Sequence, residues 1–158
     1  RDDHPYYSIP LAADLLDDFL PEFYAVGDRV RVKAEVLHAI VCHHTAEQPL
    51  TLEAGVVRVA DGLDMERGRS RVPYEKGGRG INTVSSQAIE RVSLRSGDEA
   101  PVQVVIRMNN AAGVYQVDSL LKAKIDGSLL EDHVRTVAVN THDDGERENG
   151  SIVDRIEL

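Results

Sequence analysis

The chain is predicted to be α+β, an N-terminal all-α part followed by a small β-β-α-β subdomain, on three observations. Apolar residues recur at helical spacing between residues 9 and 65. The texture then changes at Gly77, Gly78 and Gly80, and beyond them Val102, Val104, Ile106 and Met108 alternate along one face of a strand. The two parts are expected at residues 1–80 and 81–158.

The first helix is expected over residues 8–19, where Ile9, Leu11, Ala12, Leu15, Leu16 and Phe19 form one broad stripe, with Ser8 as N-cap and Pro21 as terminator. After Gly27, residues 30–43 place Val32, Val36, Ile40 and His43 on a second stripe, with Leu37 and Val41 beside it. Pro49 breaks the chain, and Thr51 can cap a third helix running through Met65. The glycines at 77, 78 and 80 form a connection, and with no strand before them they are not a dinucleotide-binding fingerprint. A short helix is expected over 85–90, then strands at 91–95 and 102–108, joined as a hairpin by the turn Ser96-Gly97-Asp98. Residues 114–125 carry Val117, Leu120, Leu121 and Ile125 at helical spacing, a helix suited to covering one face of that hairpin. A strand at 134–140 follows, and residues 151–158 read as an edge strand or tail. The sequence contains no internal repeat.

Composition bounds the function. A 158-residue chain with 42% hydrophobic residues can bury one core or two small ones. No apolar run approaches the roughly 20 residues that a membrane-spanning helix needs. A single cysteine, Cys42, cannot form an internal disulfide and fits a reducing, cytoplasmic location. Its neighbours suggest buried packing rather than ligation. The net charge of −9, with 14 Arg against 4 Lys, argues against nonspecific nucleic-acid binding. That charge is uneven, because residues 66–80 hold Arg67, Arg69, Arg71, Lys76 and Arg79 against Glu66 and Glu75, a local +3. Such a loop can hold phosphate through planar guanidinium forks, or it can be a solvated loop whose charges pair with nearby carboxylates.

The chemistry-bearing residues lie mostly upstream of that loop. His43 and His44 end an apolar helical run, Asp61 follows within Val-Ala-Asp-Gly-Leu-Asp-Met, and His4 stands just before the first helix. Neutral imidazole and ionised carboxylate are the usual ligands of divalent transition metals, so these four form a candidate metal set. Asp64 shares a face with Asp61 and could orient a ligand histidine or point at solvent, the second being favoured. His38 lies about 140° around the helix from His43, off the metal stripe, and is expected to be structural. His133 and His142 are isolated, and His142-Asp143 sits in a polar stretch that reads as a surface loop.

The order His-Pro-Tyr-Tyr-Ser, a helix ending in His-His and a helix carrying Ala-Asp resembles the second half of an HD-domain metal-dependent phosphohydrolase. The string from Asp61 to Lys76 resembles more narrowly the uncharacterised archaeal and bacterial HD hydrolases related to the ribonuclease Y catalytic domain. The resemblance implies metal ligation by His4, His43, His44 and Asp61, with Asp61 also catalytic. It further implies one or two divalent ions (Mn, Fe, Mg or Ni) and a small, nucleotide-like phosphate mono- or diester as substrate. Arg69, Arg71 and Lys76 would neutralise phosphoryl charge. The family's first histidine and its His-Asp doublet would precede His4, where only Arg1, Asp2 and Asp3 stand, so the chain is expected to be part of a longer protein. The alternative expectation is a non-catalytic module that binds a phosphorylated ligand through the arginine loop and self-associates as a homodimer through the β-β-α-β part.

Overall fold

Two turns of chain logic open the structure. Pro5 sits in the first turn of a helix, where its missing N–H costs nothing, and Thr51 accepts a hydrogen bond from Ala54 N–H through its hydroxyl at 3.3 Å, capping another. The computed structural model describes residues 3–69, 75–77, 80–140 and 155–157. It is α+β, and it divides into a helical unit, Arg1–Asp61 with Lys124–Leu130, and a sheet unit, Gly62–Ala123 with Glu131–Leu158. The division differs from one at residue 80. The basic loop groups with the sheet unit, and a later seven-residue segment groups with the helices.

In the helical unit, α1 spans His4–Phe19, a 3-10 turn Leu20–Glu22 follows, α2 spans Val26–Cys42 and α3 spans Leu52–Leu63, its last two residues being counted with the sheet unit. α1 begins four residues earlier than the N-cap at Ser8 would have it. Ser8 lies inside the helix and donates its hydroxyl to the His4 carbonyl at 2.9 Å, because the proline at position 5 already starts the helix. α3 stops at Leu63, short of Met65. It buries Ala54, Gly55, Arg58 and Val59, a stripe at i, i+1, i+4 and i+5. Gly55 is required there: a Cβ would run into the carbonyl of Ser128, which the helix approaches backbone to backbone.

The sheet unit begins its regular structure with α4, Ile81–Ser86, so the helix expected over 85–90 lies earlier and Ile89 and Glu90 are already in a strand. Strand β1 (Ile89–Ser96) pairs antiparallel with β2 (Val102–Met108), as the turn chemistry predicts, with an irregularity between Ile89 and Arg91. β2 pairs in parallel with β3 (Val134–Asn140), and β3 antiparallel with β4 (Arg155–Glu157), giving the order β1-β2-β3-β4. The parallel pair needs a crossover, which contains a π-helical turn, Gln116–Leu121, and α5, Lys122–Ile125. Val104, Ile106 and Met108 are buried along one face of β2, and Val117 and Leu121 are buried on the crossover. Burying each such side chain contributes about 1.5–3 kcal/mol. Gln116, also buried, donates to the Asn82 carbonyl at 3.0 Å and to Ser85 Oγ at 2.8 Å, tying the crossover to α4.

Candidate functional site

His4 opens α1 and His43 is the C-cap of α2, so the mutual packing of these helices brings two helix ends together. Two further ties hold the start of α1: Pro5 is buried, and the Tyr6 hydroxyl donates to Glu47 Oε1 at 2.7 Å, a bond that also raises the Tyr6 pKa. The two Nε2 atoms of His4 and His43 stand 2.8 Å apart. His43 Nδ1 lies 2.6 Å from the Ile40 carbonyl. A carbonyl only accepts, so Nδ1 carries the ring proton and neutral His43 presents a bare Nε2. His4 Nε2–H therefore donates to His43 Nε2. Ring centroids of His4 and His44 are 5.8 Å apart and those of His43 and His44 6.4 Å apart, placing all three imidazoles in one cluster.

This geometry suits two cis positions on a cation. Two nitrogens each about 2.05 Å from one metal lie about 2.9 Å apart at a right angle. A backbone carbonyl that fixes the tautomer through the other ring nitrogen is the usual outer support of a ligating histidine. The donor chemistry fits a divalent cation, yet among the described residues no three His, Cys, Asp or Glu side chains are arranged to hold one ion. Asp61 is engaged elsewhere. Its carboxylate forms an ion pair with the Lys124 ammonium, which also donates to the His43 carbonyl at 2.8 Å. The lysine thus links the Asp61 carboxylate to the main chain of His43.

Other candidates fall elsewhere. His38 is hydrogen-bonded at the α2–α3 junction: its Nε2 accepts the Leu50 N–H at 3.2 Å and its Nδ1 faces Glu35 Oε1 at 3.4 Å. Glu35 in turn accepts the Thr51 hydroxyl, and that bond, ahead of the His38 contact, holds its carboxyl below the ordinary value. The Cys42 thiol is buried, donates to the Gln48 carbonyl at 3.5 Å and is pushed up in pKa by burial. Asp64 is exposed, but its carboxylate stands 3.6 Å from Arg69 Nη1, which also donates to the Asp64 carbonyl at 2.7 Å. Lys76 is exposed, and Arg71 lies outside the described residues. Beside the loop, a shallow cavity of about 270 Å³ is lined by Glu66, Arg67, Gly68 and Glu90. Two carboxylates against one guanidinium make it a poor anion cradle.

Sequence reasoning missed two residues here. Arg58 is buried and donates to three carbonyls, Glu47 at 2.8 Å, Lys124 at 3.1 Å and Asp126 at 3.3 Å. Its signal was an arginine within Val-Val-Arg-Val, on the stripe that also carries Ala54 and Asp61. Lys124 carried no such signal, being 63 residues from its partner.

No protein family and no solved structure matches the chain. The chain is similar to an uncharacterised protein of Methanocaldococcus jannaschii, 41% identical over 138 residues, which are 87% of this chain and 53% of that protein. The chain therefore spans about half the length of the curated relative it matches.

Proposed function

We propose that the chain carries part of the metal centre of a phosphohydrolase acting on a phosphate mono- or diester of a nucleotide-like substrate. The observation that carries this reading is the convergence of His4 Nε2 and His43 Nε2 at 2.8 Å, with the His43 tautomer set by the Ile40 carbonyl. His4 and His43 would hold the cation, with His44 and Asp61 as the further ligands. A divalent cation there supplies an acidified water and positive charge for a phosphoryl oxygen.

The chain's own residues do the preparation. His43 is oriented before binding, which saves the ordering cost of a loose ligand. His4 would hold a cation through Nε2 in its Nδ1–H tautomer. Asp61 brings negative charge to the cluster. Arg69, Arg71 and Lys76 remain the proposed phosphate contacts on the strength of the local +3 charge in residues 66–80. A second reading, a non-catalytic phosphate-binding or dimerising module, draws on the pairing of Asp61 with Lys124, which leaves three imidazoles rather than a closed ligand shell.

The test is elemental analysis of protein purified without chelators, beside His43→Ala and Asp61→Ala, followed by assays on p-nitrophenyl phosphate and bis(p-nitrophenyl) phosphate. Near-stoichiometric metal in the parent, lost from both variants, is the expected result. A parent that binds no metal and turns over neither ester overturns the hydrolase reading in favour of the module.

A further inference from the structure

The Lys124 side chain is 14% exposed and Asp61's 34%. An ammonium so nearly buried must be paired, and its partners are the Asp61 carboxylate and the carbonyl of His43, the residue whose ring faces His4. The Lys124 backbone is held separately: its carbonyl accepts Arg58 Nε–H, while the other two guanidinium nitrogens hold Glu47 and Asp126. Movement of the flexible four-carbon stem therefore leaves the main chain in place.

We propose that Lys124 is a tethered cation that keeps Asp61 in reserve. It fills the cation position beside that carboxylate and competes for it with a divalent ion held at His4 and His43, so that Lys124 sets the metal affinity of the cluster. The inference rests on the metal reading above. Like charges repel steeply at short range in a partly desolvated site, so an ammonium and a divalent ion do not share one carboxylate cheaply. Displacement of Lys124 is then a cost subtracted from metal binding, and its removal raises affinity.

The experiment is Mn²⁺ titration of the whole chain, following free Mn²⁺ by electron paramagnetic resonance. Lys124→Met keeps the stem and removes the charge, and should tighten binding about tenfold or more, whereas Lys124→Arg should stay near the parent. In an Asp61→Asn background, Lys124→Met should change affinity less than about twofold, because the contested carboxylate is gone. A merely structural lysine would not give that dependence on Asp61. If Lys124→Met fails to fold, Lys124→Gln carries the same comparison. Parent binding that His43→Ala abolishes, but that loss of the Lys124 charge leaves unchanged or weakens, overturns the inference and leaves the metal reading standing. No Mn²⁺ bound by any form overturns both.

Discussion

In the sheet unit, Ile89, Val104, Ile106, Met108, Val117 and Leu121 are each at most 1% exposed, whereas in the helical unit Leu11 and Leu15 are 69% exposed and a buried cluster consists of Ala39, Cys42 and Ala54. The sheet unit is held by large apolar side chains that are fully buried, whereas the helical unit mixes small ones with Leu20 and Val59 and adds polar ties. Arg58 on three carbonyls, Thr51 and His38 on Glu35, and Lys124 on Asp61 all lie in the helical unit. The candidate metal ligands His4, His43, His44 and Asp61 are in that unit too. Buried polar networks are strong when fully satisfied and costly when one member is lost, so the site and the stability of its surroundings depend on the same groups.

The contrast can be broken most sharply in the sheet. Ile106→Ala, at a fully buried position on a strand paired on both sides, should cost about 2–5 kcal/mol in urea unfolding, while Leu15→Ala should stay within about 0.5 kcal/mol. Equal costs would show that the exposed helical leucines are not in fact idle. Next in size, Gly55→Ala should destabilise by about 1–3 kcal/mol despite alanine's better helix propensity, because the added methyl meets the Ser128 backbone. A neutral or stabilising result would mean that α3 and the segment after α5 are not held at that distance.

The smallest effect concerns the polar ties themselves. Thr51→Ala removes the α3 cap and should cost about 1 kcal/mol. It also removes the chief donor that depresses the Glu35 pKa. A carboxyl lowered in the folded state contributes stability above its unfolded pKa and loses it as pH falls through the folded value. The parent should therefore lose stability below the ordinary Glu range of about 4.3, and the variant should lose less over the same acid window. Parallel pH profiles for the two would remove Glu35 from the account.

Periodicity made the helices and strands legible because each signal is local. Val102–Met108 and Val134–Asn140 fall where alternation puts them, and the hairpin follows from its turn residues. Boundaries were less legible. Ser8 looks like a cap until Pro5 is counted as the starter, and residues 85–90 look helical although the strand begins at Ile89. At the site, His4 and His43 are recognisable as candidate ligands by residue type, but their separation of 39 residues says nothing about whether their Nε2 atoms meet.

The sequence by itself determined the fold class, the strand pairing of the hairpin, the absence of a long apolar helix and the identity of the candidate ligand side chains. These depend on residue type and on spacing within one element. Only the tertiary structure decided that Lys124 takes the carboxylate of Asp61, that Arg58 is an internal tie, that His38 serves the α2–α3 junction and that His4 reaches His43. Each of these joins positions 11 to 68 residues apart, and packing, rather than any local propensity, brings such positions within hydrogen-bonding range.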